Sequence, residues 1–195
     1  MTAVRIEPKP VQSYPWYLKP FFWNQRRKYG QVLTPALLWA RNPLLFLAVA
    51  AFVGIFERKS SPLSPRLRAL VMTRISQINW CRFCEDLNAA TLLKRGVAPA
   101  KMQALDRWRD SNLFDADERM VLEYAEAMTR SDLAVDDTLM ERLKSRFGDD
   151  ASVELTGLIA FQNMSSKFNS ALAVPSQGFC RLPEAAAQPG GQAGT

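Results

Sequence analysis

Gln77-Ile78-Asn79-Trp80-Cys81-Arg82-Phe83-Cys84 is the stretch on which the reading of this chain turns. Asn79 reads as an N-cap, which places Cys81 and Cys84 in the first turns of a helix, one turn apart and on the same side. The partial positive charge of a helix N-terminus favours thiolate, and the neighbouring Arg82 adds to it. That spacing also lets the two sulfurs reach disulfide distance, so that one can attack and the other resolve. The plainer alternative is two small buried residues at a helix–helix contact. A structural zinc site would need four ligands. Cys180 is the sole further thiol and the chain has no histidine, so no metal is expected. A thioredoxin-type motif would need strands around it, and strand signals are nearly absent.

Helix starts recur on both sides of the motif. Thr34-Pro35, Asn42-Pro43 and Ser64-Pro65 each join an N-cap type to proline, whose missing N–H costs nothing at the first helical position. Asp115 with Glu118 reads as a capping box, and Gly96 and Gly148 as helix stops. Helices are predicted at about 34–41, 43–57, 64–77, 79–95, 99–110, 115–130, 137–147 and 150–173. This is an all-α chain of about eight helices. In the third, Leu67, Leu70, Val71, Ile75 and Ile78 form one apolar stripe, while Ala69, Thr73 and Ser76 share a more polar face. In the last, Val153, Leu155, Leu158, Ile159 and Phe161 are apolar, and Val174-Pro175 ends it. Leu44 to Phe56 is the longest apolar run. It falls short of the ~18 residues of a membrane span and reads as a buried helix.

The 195 residues suit one domain with extensions: an arm over 1–30, a helical domain over 31–180 and a tail over 181–195 expected to be disordered. The arm is rich in proline and aromatics, from Tyr14 to Trp23. Its prolines argue against a continuous helix, and its rings need a partner: its own bundle, a neighbouring subunit or, as the alternative, a membrane surface. The net charge of +6 is spread along the chain. Arg26-Arg27-Lys28 reads as a solvated helix face, so no nucleic-acid binding is inferred. Residues 1–10 hold no apolar segment of the secretory type. Three cysteines do not suit an extracellular disulfide framework. The expected compartment is the cytoplasm. No flavin, nicotinamide or haem motif is visible, so no bound cofactor is expected.

The residues around the motif carry a resemblance. Leu63-Ser64-Pro65-Arg66-Leu67-Arg68-Ala69-Leu70-Val71 leads into Arg74-Ile75-Ser76 and the cysteine turn, then Ala89-Ala90-Thr91-Leu92-Leu93 and Arg95-Gly96-Val97. Ala125-Glu126-Ala127-Met128-Thr129 and Leu158-Ile159-Ala160-Phe161-Gln162-Asn163 follow. Over about residues 34–175 this resembles the carboxymuconolactone decarboxylase-like, alkylhydroperoxidase-like (AhpD-like) superfamily. The resemblance implies an all-α bundle that assembles into homo-oligomers. Its peroxidase-type members use a glutamate, two cysteines and a histidine. The cysteines carry over to Cys81 and Cys84. The glutamate falls at Ala69 and the histidine at Asn88, so that proton relay is missing here.

By analogy Cys84 is the attacking sulfur and Cys81 resolves it, acting on a small peroxide or a disulfide, with an external thiol as reductant. Asn88, Glu85, Ser76 and Thr73 are candidate supporting residues: Glu85 as a proton acceptor for Cys81, the others as a neutral hydrogen-bonding pocket. Two alternatives stand beside this redox reading. One is a non-catalytic scaffold or binding protein on a degenerate site. The other is a decarboxylase-type enzyme, whose proton-transfer residues have no counterpart placed here.

Overall fold

The computed structural model describes residues 4–180, and the tail expected at 181–195 lies outside them. Among the described residues there are helices and no strands, so the all-α class holds. The helices are α1 (Lys19–Tyr29), α2 (Thr34–Trp39), α3 (Pro43–Glu57), α4 (Pro65–Ile78), α5 (Arg82–Lys94), α6 (Pro99–Gln103), α7 (Ala116–Thr129), α8 (Asp137–Phe147) and α9 (Asp149–Ala171). Three 3₁₀ segments, Val11–Ser13, Trp16–Leu18 and Leu105–Asp110, bring the helical elements above the expected eight.

Local capping explains most boundaries. Asn42 accepts from the Leu45 N–H at 3.3 Å and Ser64 from the Leu67 N–H at 3.2 Å. The Asp115–Glu118 capping box is complete, at 2.9 and 3.0 Å. Thr34 differs from expectation: it is the first residue of α2, and its N–H goes to Gln177 Oε1 at 3.0 Å. The helix expected over 99–110 divides at Ala104 into α6 and a 3₁₀ segment, which Arg107 kinks at φ −121°, ψ 36°.

α4 is the central helix, with α5, α7 and α9 packed around it. Leu70, Val71 and Ile75 are therefore buried, and so are Ala69, Thr73 and Ser76, whose face looked polar from sequence. A helix surrounded on all sides must satisfy its polar side chains internally. One clasp holds α4 to α7. Glu126, buried on α7, accepts from Arg74 Nε at 2.6 Å, from Trp108 Nε1 at 3.0 Å and from Arg109. Burial works against its charge, but the bonds from Trp108, Arg109 and Arg74 win and hold its carboxyl below the usual range.

Two expectations need correction. The arm does contain a helix. Pro20 falls in the first turn of α1, where its missing N–H is harmless, and Gly30 at φ 76° ends the helix. Tyr14, Leu18 and Phe22 are buried against α2 and α3. The Tyr14 hydroxyl donates to the Leu37 carbonyl at 2.7 Å. Trp16 and Trp23 stay exposed. The run Leu44–Phe56, in contrast, is not buried: in α3 only Phe46 and Phe56 are, while Leu44, Leu45, Phe52, Val53 and Ile55 face solvent. The helix is apolar all round, but one copy of the chain covers one side of it. Among the described residues no helix is long and apolar enough to cross a membrane.

Candidate functional site

The turn between α4 and α5 builds the site. Asn79 is not an N-cap. It ends α4, its N–H bonding the Ile75 carbonyl at 3.0 Å, and its side chain donates to Asn163 and Ser166 of α9, each at 2.8 Å. Trp80 then takes φ 54°, a left-handed conformation unusual for so large a side chain, and stands 85% exposed. This reversal returns the chain so that the Cys81 N–H reaches the Ser76 carbonyl at 3.0 Å. Cys81 is the true N-cap of α5. Its sulfur accepts from the Cys84 N–H at 3.2 Å, taking the role that a Ser, Thr, Asp or Asn oxygen plays as an N-cap.

Cys81 and Cys84 are joined as a disulfide, with Cα atoms 5.2 Å apart. Both are buried, 1% and 5% exposed. Their surroundings are apolar. Tyr14, Leu18 and Phe22 of the arm, Trp39 of α2, Phe46 of α3, Phe83 and Val174 form one cluster with them. Phe168 of α9 stacks on Trp39 with centroids 3.5 Å apart, a pairing worth about 1 kcal/mol beyond area burial.

Each sulfur has a different donor. Cys81 has the helix N–H just described. Cys84 accepts from the side-chain Nδ2 of Asn169, on the last turns of α9, at 3.2 Å. Asn169 was not singled out from the sequence, although a signal existed. Gln162, Ser166 and Asn169 recur at i, i+4 and i+7 and are all buried, a polar stripe on the inward face of α9.

The candidate supporting residues separate into two groups. Ser76 and Asn88 come together: Asn88 Nδ2 donates to Ser76 Oγ at 3.0 Å and to the Met72 carbonyl at 3.3 Å. Gln162 Nε2 also donates to Ser76 Oγ at 3.0 Å, and that hydroxyl donates to the Met72 carbonyl at 2.7 Å. This network is neutral throughout. Thr73 lies nearby but turns its hydroxyl to the Ala69 carbonyl one turn back, at 2.7 Å. Glu85 is exposed, and among the described residues its carboxylate has no hydrogen-bond or ion-pair partner, whereas the sulfurs are enclosed.

The acid beside the site is Asp86. It gathers the Ser176 hydroxyl at 2.8 Å and the N–H groups of Gln177, Phe179 and Cys180 at 3.0, 3.1 and 2.7 Å. Burial opposes its ionisation, but these four donors prevail and its pKa is lowered. The carboxylate thus pins residues 176–180 against α5. Cys180, the free cysteine, packs with Ala89 and Leu92 on another cluster. Burial and the charges of Asp86 and Glu85 push its pKa up, so it stays a thiol.

Known proteins resemble this chain in sequence and in fold. Residues 35–127 match the model of the carboxymuconolactone decarboxylase family. The uncharacterized protein YnjA of Escherichia coli (strain K12) is 46% identical over 175 residues, spanning 90% of this chain and 96% of YnjA. A peroxidase-related protein from Silicibacter sp. TM1040 superposes with a TM-score of 0.78 at 24% identity, covering 87% of this chain and 90% of its own. An alkylhydroperoxidase AhpD core, a peroxidase-related protein from Ralstonia eutropha JMP134, superposes with a TM-score of 0.82 at 19% identity, covering 92% and 95%. These two structures establish the AhpD-like all-α fold.

Proposed function

The chain belongs to the carboxymuconolactone decarboxylase family, and from that premise we propose that it is a thiol peroxidase working through Cys81 and Cys84. The observation that carries this reading is the paired sulfurs at the start of α5, each with its own N–H donor. In the reduced pair, helix and amide donors favour thiolate at both positions.

Cys84 thiolate attacks the terminal oxygen of a hydroperoxide. The S–O bond forms, the O–O bond breaks, and the alkoxide leaves and takes a proton from water. Sulfur loses two electrons and the peroxide gains them, leaving Cys84 as a sulfenic acid. Cys81 then attacks that sulfur. The S–S bond forms, and hydroxide departs and becomes water on protonation. An external dithiol returns the pair to its reduced state by exchange. With a neutral network in place of the relay, solvent carries the protons.

A homo-oligomer is supported by the bare apolar face of α3, since so continuous a patch marks an interaction site. A cytoplasmic setting suits a pair that cycles against a thiol pool.

Steady-state hydroperoxide reduction by a small dithiol tests the proposal. Cys84→Ser should abolish turnover, and Cys81→Ser, given one equivalent of peroxide without dithiol, should hold a sulfenic acid on Cys84 instead of closing a disulfide. Equal turnover in both variants and the native chain would refute it and favour the scaffold reading.

A further inference from the structure

Among the described residues, two buried side-chain polar atoms lack a hydrogen-bond partner, and one of them is Asn169 Oδ1. The other is Arg68 Nε, on a guanidinium that reaches carbonyls at the end of α3. A buried carbonyl left unmatched costs about 1–3 kcal/mol, so interiors rarely keep one. The rest of the polar stripe on α9 is matched: Gln162 donates to Ser76, and Ser166 donates to the Gln162 carbonyl at 2.6 Å while accepting from Asn79. The exception sits on the one amide that touches a redox sulfur.

The orientation of that amide follows from chemistry. A disulfide sulfur accepts and cannot donate, so the NH₂ group faces it and the oxygen is turned away. Nδ2 and Oδ1 share one carbon, so Oδ1 lies about 2.2 Å from the nitrogen that contacts Cys84. Asn88, at the position of the family's histidine, is not comparably free, because both its donor contacts go to α4.

We infer that Asn169 is the substrate-facing residue of the Cys84 centre: its Nδ2 holds the Cys84 thiolate, and its Oδ1 accepts the O–H of the incoming hydroperoxide. The inference rests on the peroxidase reading above. The terminal oxygen that Cys84 attacks is the one that carries the hydrogen. An acceptor beside the sulfur therefore orients the O–O bond for attack. It then keeps the same O–H as the sulfenic acid forms, until Cys81 displaces the hydroxide. The substrate class is one that bears a hydroxyl on the reacting oxygen: hydrogen peroxide or an alkyl hydroperoxide, rather than a dialkyl peroxide or a disulfide.

The test uses a Cys81→Ser, Cys180→Ser background, in which Cys84 is the sole thiol. Asn169→Ala removes both functions. Asn169→Asp, nearly isosteric, keeps an acceptor and removes the donor. Thiolate absorbance across a pH series reads the first function, and both variants should raise the Cys84 pKa. The second is read by rates at matched thiolate fraction with cumene hydroperoxide and with dithiodipyridine, an electrophile without an O–H. Asn169→Ala should slow the hydroperoxide reaction about 2- to 10-fold more than the dithiodipyridine reaction, the scale of one neutral hydrogen bond. An unchanged thiol pKa in both variants, or equal slowing with both electrophiles, overturns the inference. If the background protein itself reacts with hydroperoxide no faster than a small free thiol, the peroxidase reading falls and the role of Oδ1 with it. The pKa comparison still separates that outcome from a failure of Asn169 alone.

Discussion

The Asn88 amide donates to the Ser76 hydroxyl across 3.0 Å, joining α5 to α4. With Gln162 donating to the same hydroxyl, the polar network shared by α4, α5 and α9 consists of groups that hydrogen-bond but do not titrate near neutral pH. The second-order rate constant for peroxide should therefore rise with pH along a single limb set by thiol ionisation. It should then stay flat to about pH 9, since no imidazole adds a second ionisation. A falling limb below that pH would show that another titrating group takes part.

Restoring the relay gives the complementary experiment. Asn88→His, one turn after Cys84, should lower the thiol pKa and speed peroxide reduction, within the roughly 10²–10⁴-fold range of general acid–base assistance. Ala69 is 1% exposed beside α5 and α7. Ala69→Glu alone should cost about 3 kcal/mol in denaturant unfolding, the scale of burying an unmatched polar group, and the histidine should recover part of it. No rate gain in a folded double variant would mean that this pocket is not the family's relay in altered form.

Asp86 offers a stability prediction. Its folded pKa lies below its unfolded value because the donors from 176–180 stabilise the charge. Its contribution is thus fully present above the ordinary carboxylate range and is lost as pH falls through the lowered folded value. Asp86→Asn should loosen that segment, lower stability by about 1–3 kcal/mol and speed alkylation of Cys180, without the same dependence on acid pH. Alkylation at the native rate would contradict the pinning role.

α3 carries the assembly prediction. Leu44 and Val53 are exposed and apolar on a helix with no charge between Pro43 and Phe56. Leu44→Glu with Val53→Glu should lower the mass read by light scattering while leaving the helical circular dichroism intact. An unchanged mass would move the interface elsewhere. Deleting residues 4–24 is a different perturbation: it uncovers Phe46, Trp39 and the disulfide cluster, and should destabilise the fold itself.

What was legible in the sequence was local. Asn42, Ser64 and Asp115 mark helix starts because a side-chain oxygen answers an N–H three residues on. Asn79 misled because it carries a capping-type side chain but ends α4, and its Nδ2 donates across the bundle to Asn163 and Ser166. The cysteine capping α5 was less evident, since sulfur is an uncommon cap. The exposure of α3 could not be read from a uniformly apolar run, which says that a surface wants cover and not what covers it. Asn169 lies 85 residues from Cys84, and a contact so distant in sequence leaves no motif.

The most direct measurement is a one-equivalent hydroperoxide pulse on the fully reduced protein, followed by alkylation, intact mass and peptide mapping. Two thiols should be lost together, a Cys81–Cys84 bridge should form, and Cys180 should be alkylated as before. Three alkylated thiols after the pulse, or a dominant bridge to Cys180, would contradict the Cys81–Cys84 mechanism.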